Sequence, residues 1–492
     1  MELRLTNRGG AISEVVLLHH TTDNGRRVIL NSKDRTPIGA IVADPAAPLL
    51  PEYQMRREGD AVQLEHITPE NVAIRKKFFL PKSAETKDNF IAEMDVDLHN
   101  RGSTPYVHPS YFVALGFAAP SHPADYPSHT RLVWCIAGKA KGIDVGSFAG
   151  GGGFLGMGQS APRPFYQENF SGAEWGAVSN QFFTTIVTPL TAKANSAWGR
   201  SFEIVRSPDQ KVSAIEGAMG MPGFQLQPGQ TTSARFQIWA GPKLYNRLAQ
   251  LKHNEAEIMN FGMLKIVCQF LLNFMNLLHS AVGNYAAAIL ALTTIIKLVL
   301  WPIQNKANRS MRRMAALSPK MQELREKYKD DPTRMNQEVM KLYKDYGINP
   351  VSGCLPMLIQ VPIFFGLFTM LQQAVELRNA SFLWVRDLSQ PDTIGYLPVF
   401  GWPINILPLL MALTNVWMMR ITPKTGDAMQ QRVIMFMPVI FVVFCYNFAA
   451  ALSLYYTTQN LFTILQLYQN RRQPMPTLEK VTPPGKKSRK GK

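Results

Sequence analysis

Polar and apolar positions alternate through the first half of the 492-residue chain and give way to long apolar runs in the second. Between Asn89 and Asn100, the residues Phe90, Ala92, Met94, Val96 and Leu98 share one side, and Glu93, Asp95, Asp97 and His99 share the other. A period of two with one wet face is the pattern of an antiparallel strand packed on a core. Shorter runs at Ile12–Leu18, Gln181–Pro189 and Ala234–Ala240 lie between clusters of Pro, Gly, Asn and Asp. Together they predict a β-sandwich domain over residues 1–242. A helix is predicted near Lys243–His253, within a linker at 243–258. The glycine-rich stretch from Gly146 to Gly158 lacks the Gly-Lys-Ser/Thr ending that grips phosphates, so a surface loop is expected there.

A helix needs roughly 20 apolar residues to cross a bilayer. Five segments meet that length or approach it: about 284–303, 353–374, 402–420, 433–452 and 454–470. The segment 259–281 differs. Its Lys265, Gln269, Asn273 and Asn276 recur every three or four residues and make one polar stripe on an apolar helix. This is the pattern of a helix lying in the membrane interface, with a poor span as the alternative. In 304–350, apolar and charged residues interleave and Asp330-Asp331-Pro332 interrupts the helical period. Proline suits a first helical turn and breaks an interior, so two helices are predicted, about 304–328 and 333–346, folded as a hairpin. A solvated charged linker is the plainer alternative.

Charge supplies the orientation. Residues 1–258 hold 26 Lys and Arg against 24 Asp and Glu, whereas 259–492 hold 26 against 11. Nearly all of the net +17 therefore lies in the apolar half, which excludes a wholly soluble enzyme and wholesale disorder. The connection 304–350 carries 11 of these cations and the tail 471–492 carries eight, whereas 375–401 carries only Arg378 and Arg386. The excess of Lys and Arg places the hairpin and the tail in the cytoplasm and residues 1–281 outside. An external β domain needs a leading anchor or signal, and residues 1–30 contain neither, so a preceding segment is expected. The basic segments suit anionic lipid heads or ribosomal RNA. The four cysteines form no CxxC pair, and the nine histidines show no metal-ligand spacing, so no metal or cofactor is expected.

One residue in the apolar half stands apart. Lys297 lies inside the run YAAAILALTTIIKLVLWP, with Thr293 one turn before it. A charge in mid-span costs roughly 2.5–3.5 kcal/mol on insertion scales, and no acidic residue lies within the five spans to offset it. Facing water in a polar hollow is one solution; snorkelling to the interface is the other. A polar face elsewhere favours the hollow: Tyr456, Gln459, Asn460, Thr463 and Gln466 align at helical spacing, and Gln360 adds an amide to another span. Isolated amides also act as packing glue between spans. Seventeen of the 23 methionines fall in 259–492, where flexible thioethers suit varied apolar contact. The membrane half shows no nucleotide loop, metal cluster or nucleophile–base pair, which argues against a pump or a protease.

At these residues the chain resembles the YidC/Oxa/Alb membrane protein insertase family, in its bacterial branch with a large periplasmic domain. The resemblance rests on Lys297 with Trp301-Pro302 after it, NPVSGCLPMLIQVPIFFGLF at 349–368, VELRNASFLWVRDLS at 375–389, MQQRVIMFMPVIF at 429–441 and LYYTTQNLFTILQ at 454–466. LTNRGGAI at 5–12 extends it to the first half. The resemblance implies a β-supersandwich of galactose-mutarotase-like shape, followed by a five-helix core around a hydrophilic groove. It implies an inner-membrane, non-enzymatic insertase that helps newly made membrane proteins to insert and fold, alone or with the Sec translocon. The implied partners are nascent membrane proteins, the ribosome, the Sec translocon and anionic lipids, with a monomer as the working unit. The groove cation, commonly arginine in the family, falls on Lys297; lysine keeps the charge and loses the guanidinium fork. The implied groove contacts fall on Thr293, Gln360, Tyr455 and Tyr456, and the polar face adds Gln459. Asn447-Phe-Ala-Ala-Ala451 replaces a proline-glycine turn frequent in the family. The competing classes are a small-solute transporter, which predicts inverted repeats, and a membrane-anchored carbohydrate-binding or carbohydrate-active protein, which predicts paired acid and base residues in the β domain.

Overall fold

The structure is a computed structural model that describes residues 1–81, 90–150, 161–207, 210–349, 351–398, 401–422, 436, 440, 442–472 and 480. Most of the glycine-rich stretch, the first part of the 433–452 span and nearly all of the basic tail lie outside the described residues. The chain forms two units, Met1–Gly262 with Gln373–Asn379, and Met263–Gln372 with Ala380–Lys492.

The first unit is a large β-sandwich in which every strand pairing is antiparallel. Strands β1 (Glu2–Thr6), β2 (Ala11–Thr21) and β3 (Arg27–Leu30) form a three-stranded sheet. The thirteen-stranded sheet contains β4 (Ile41–Val42), β5 (Gln54–Glu58), β6 (Ala61–Ile67), β7 (Val72–Phe79), β8 (Ile91–Asn100) and β9 (Tyr106–Ala118). It continues with β10 (Arg131–Ile136), β11 (Lys139–Asp144), β12 (Tyr166–Ser179), β13 (Phe183–Pro189), β14 (Ala194–Ser207), β15 (Gln210–Leu226) and β16 (Thr231–Pro242). Its main path runs β4-β9-β15-β14-β12-β13-β16-β8-β7-β6-β5, with β10 and β11 added at β12. The alternation read from 89–100 holds in β8, where Ala92, Met94, Val96 and Leu98 are buried. Strand β13 is buried along its whole length, which explains its near-continuous apolar and threonine run.

Two glycines fix the start of the fold. Gly9 and Gly10 both have positive φ, and a Cβ on Gly10 would lie 2.6 Å from the Tyr53 ring. Only glycine meets both demands. The bend aims the Gly9 carbonyl at Lys76, which occupies an inward position on β7 and is fully buried. Its ammonium donates to Gly9 O at 3.0 Å and Gly39 O at 3.1 Å and lies 5.0 Å from the centre of the Tyr53 ring.

The predicted helix at 243–253 is replaced by shorter structure. After a four-residue α1 (Gly146–Ala149) earlier in the chain, α2 covers only Tyr245–Leu248, and a 3₁₀ turn follows at Glu255–Met259. Asn254 and Asn260 adopt left-handed conformations at the two ends of that turn, which a continuous helix cannot accommodate.

The second unit is helical. Helix α3 (Lys265–Val282) ends at Gly283 in the left-handed conformation. Helix α4 (Tyr285–Ala316) starts at Asn284, whose side chain accepts from Ala287 N. Such a cap contributes about 1 kcal/mol. Helices α5 (Ser318–Lys327), α6 (Pro332–Asp345), α7 (Val351–Gln373), α8 (Ile406–Ile421) and α9 (Ala450–Arg471) follow. Helix α7 approaches α3 closely at Gly366, where a Cβ would lie 2.8 Å from Val267. Helix α9 packs against both α4 and α8.

Three boundaries differ from the sequence reading. The span at 284–303 and the helix begun at 304 are one 32-residue helix that continues through Pro302; the break comes at Leu317, before Ser318-Pro319. Proline at 302 removes one donor but does not end the helix here, whereas Pro319 starts a new one from its first turn. The segment at 402–420 begins later, because Pro403–Asn405 pairs with Thr393–Tyr396 as a two-stranded sheet. The break expected between the spans 433–452 and 454–470 lies at 446–449, and the last helix gains four residues at its start. Ala450 N donates to Gln390 O at 2.8 Å and Ala451 N to Leu388 O at 3.0 Å, so exposed amides of the first turn are met by backbone. None of residues 446–449 has positive φ, so the turn needs no glycine.

Asp331 caps α6 by accepting from Arg334 N at 2.9 Å, with Pro332 in the first turn, as Asp330-Asp331-Pro332 suggests. Leu317, Tyr346 and Ile348 form a small core between α5 and α6, joined by Met314, Leu342 and Tyr343. By length and composition, two described helices are long and apolar enough to cross a membrane, Gly262–Val282 and Tyr285–Ala316. The first coincides with the segment read as interfacial. Its Cys268, Leu271, Leu272 and Met275 are buried, whereas Ile266, Phe270 and Leu277 are exposed beside Lys265 and Asn273.

Burial pushes the Lys76 ammonium down to about 7. An unfolded lysine titrates near roughly 10.4. Between those values the unfolded chain binds a proton that the folded chain has released, so stability rises with pH by up to about 1.4 kcal/mol per unit and the gain is lost as pH falls through 7. Lys76→Met should remove this contribution. Urea denaturation of the full chain at pH 7, 8 and 9 checks it: the wild-type slope should exceed that of the variant, and equal slopes would contradict the assignment.

Candidate functional site

Helical geometry gathers the polar residues of the second unit. On α4, Lys297, Gln304 and Asn308 lie seven and four residues apart, on one face. On α9, Tyr456, Gln459, Asn460, Thr463 and Gln466 repeat at three- and four-residue steps. Helix α7 contributes Gln360 and α8 contributes Met418. These residues line a cavity of about 270 Å³. Its lining carries one cation and no carboxylate.

Lys297 is buried, with 2% of its surface exposed. Its ammonium donates to Thr463 Oγ1 at 2.8 Å and to Gln304 Oε1 at 3.2 Å. Both acceptors are neutral, and a lysine has three donors, so one remains for a guest or water. Around it the amides are linked in series. Gln459 Nε2 donates to Gln360 Oε1 at 2.8 Å, and Gln360 Nε2 donates to Tyr455 Oη at 3.1 Å. Asn460 Nδ2 donates to Thr414 Oγ1 at 3.1 Å, tying α9 to α8. Gln466 Nε2 donates to Asn305 Oδ1 at 2.8 Å and to Trp301 O at 3.2 Å, tying α9 to α4. Gln466 Oε1 is buried without a partner among the described residues. Polar groups thus enter the cavity from several helices, while its one charge lacks a counter-ion among the described residues.

Lys297, Gln360, Tyr456 and Gln459 come together in the lining of this cavity. Thr293 and Tyr455 do not line the cavity. Thr293 is fully buried and returns its hydroxyl to Ile289 O at 2.7 Å, a common use of threonine inside a helix. Tyr455 lies behind Gln360 with 1% of its surface exposed and supports that amide. Gln304, Asn308 and Met418 went unrecognised. The first two are in phase with Lys297, but the expected end of the span at 303 separated them from it; Met418 gives no signal. Asn460, Thr463 and Gln466 belonged to the recognised polar face without being placed in the groove. Among the described residues no group of three or more His, Cys, Asp or Glu comes close enough to hold a metal.

A β-sandwich unit followed by an apolar helical unit whose cavity carries one cation fits the class of two-part membrane proteins. The family profile described as YidC periplasmic domain matches residues 1–274, and that described as 60Kd inner membrane protein matches 277–476. The chain belongs to the YidC family. It is 37% identical over 298 residues to the membrane protein insertase YidC of Syntrophobacter fumaroxidans, covering 60% of this chain and 53% of that protein. It is 36% identical over 301 residues to the protein of that name from Nitratidesulfovibrio vulgaris strain Miyazaki F, covering 59% and 52%. Those matches span about half the length of the curated relatives. A solved structure titled as an active YidC insertase with its first transmembrane domain resolved aligns over 96% of this chain and 90% of that one, at 18% identity and a TM-score of 0.40.

Accessibility separates the cavity from its surroundings. In a background with all four cysteines replaced by serine, Asn308→Cys and Gln459→Cys should react with a hydrophilic maleimide, and Thr293→Cys should react at least roughly tenfold more slowly, as a buried thiol does. Equal rates at 293 and 459 would contradict the arrangement.

Proposed function

We propose that the chain is a membrane protein insertase of the YidC family and that the cavity around Lys297 receives polar segments of incoming membrane proteins. The observation that carries this reading is a buried ammonium with only neutral partners, facing a polar cavity in the helical unit. Hydrophobic transfer of the substrate span into lipid supplies the drive. The polar cavity lowers the barrier by solvating the substrate's polar flank part-way across, where lipid offers no hydrogen bonds. Lys297 attracts acidic residues in that flank. No bond is made or broken, so the role is not enzymatic.

In this reading the helical unit crosses the inner membrane five times, and α3 lies in its outer interface. The β unit is periplasmic, α5 and α6 form a cytoplasmic hairpin, and the basic tail is cytoplasmic. The hairpin and tail face anionic lipid and the ribosome. The protein works as a monomer, alone or beside the Sec translocon.

The test is insertion of a single-span substrate with an acidic flank into proteoliposomes. Lys297→Arg should retain most activity, and Lys297→Glu should lose roughly tenfold or more, equivalent to about 1.4 kcal/mol in the barrier. A substrate with a neutral flank should be less affected. Equal activity of the Lys and Glu forms would refute the electrostatic role.

A further inference from the structure

The β unit contains a second cavity, of about 280 Å³, that no part of the insertion mechanism uses. Its lining includes His129, Arg131, Asp144, Ser179, Lys243 and Gln373. Strand pairing brings most of these together. Arg131, at the start of β10, faces Asp144 of β11 on one side and Ser179 of β12 on the other. Lys243 follows β16 directly, and its backbone is pinned by its N–H donating to Phe182 O at 2.8 Å.

The electrostatics are unbalanced. Lys243 has 2% of its surface exposed, yet its ammonium has no hydrogen bond or ion pair among the described residues. Arg131 likewise lies within 4 Å of no carboxylate oxygen among them. Gln373, with 3% exposed, also brings an amide to the cavity without a protein partner among the described residues. Asp144 is the one carboxylate of the lining, and its Oδ1 already accepts from Ser147 N at 3.0 Å and Ser147 Oγ at 3.2 Å. A buried ammonium without a partner is strongly unfavourable. Consistently, burial, and then the nearby Arg131, pushes Lys243 down to about 7. Lys76 shows the contrast, since its ammonium is met by two carbonyls in the same unit.

We propose that this cavity binds a small phosphate-bearing anion, held between the Arg131 guanidinium and the Lys243 ammonium, with the Gln373 amide as a further donor. A guanidinium fork and a point-charge ammonium are the usual pair of phosphate ligands. The volume is near the lower end of the roughly 300–1,000 Å³ of small-molecule sites, so it suits a phosphate with a short polar substituent rather than a long chain. The lining holds two cations against the single carboxylate of Asp144, and the anion supplies the remaining counter-charge. This assignment is independent of the reading of the Lys297 cavity.

Calorimetric titration of the full chain in non-ionic detergent, with inorganic phosphate in one arm and glycerophosphorylglycerol in the other, tests it. One equivalent of at least one ligand should bind; the stronger arm separates a free phosphate from a lipid headgroup as the source. Lys243→Met and Arg131→Met should each weaken binding at least tenfold. Removing an unpaired buried cation should leave the anion-free melting temperature of Lys243→Met no lower than wild type. Absence of binding in both arms, or unchanged affinity in both variants, would overturn the proposal.

Discussion

The helical unit depends on how it treats one ammonium group. Among the described residues no acidic side chain pairs with Lys297, and its two hydrogen-bond acceptors come from its own helix and from α9. Satisfying it requires α4 to stay helical past Pro302, so that Gln304 falls on the same face. It also requires α9 to bring Thr463 across at register. The same two helices are then joined by Gln466 and Asn470 to Asn305. Polar contacts of this kind fix helix positions at a modest gain each, since apolar packing between spans has little preference over lipid. The frame that holds the charge is therefore also the frame that keeps the cavity open.

Three buried lysines illustrate the range of solutions available to one side chain. Lys76 is closed in by two glycine carbonyls and an aromatic ring and serves the β fold. Lys297 has two of its three donors met by neutral groups and retains one toward a cavity. Lys243 has no protein partner among the described residues and faces a second cavity. Lys76 and Lys297 each have two acceptors, and what sets them apart is that Lys297, like Lys243, lines a cavity. That difference separates a structural ammonium from one that remains open to an external partner.

The sequence revealed the periods but not the joints. Alternation at Phe90–Leu98 identified a strand because one face is dry, and Lys297 announced itself because a charge in an apolar run has few explanations. Gln304 and Asn308 were hidden by the usual rule that proline ends a helix, which α4 does not obey at Pro302. Thr293 was in phase with Lys297, but phase does not show that a hydroxyl has already bonded to its own backbone. The start of α9 was misplaced because its first amides are met by Gln390 and Leu388, residues some 60 positions earlier. Lys76 and Lys243 gave no signal at all: only tertiary structure shows that these lysines are buried.

The central claim is that a chain in transit occupies the Lys297 cavity. Site-specific photo-crosslinking from position 459, in the cavity lining, to a ribosome-stalled membrane protein tests it directly. The account predicts a strong adduct with the polar flank of the stalled span at 459 and a weak one at 293, behind the wall. Adducts of equal strength at both positions, or none at 459 while the exposed Leu298 on α4 crosslinks, would contradict it.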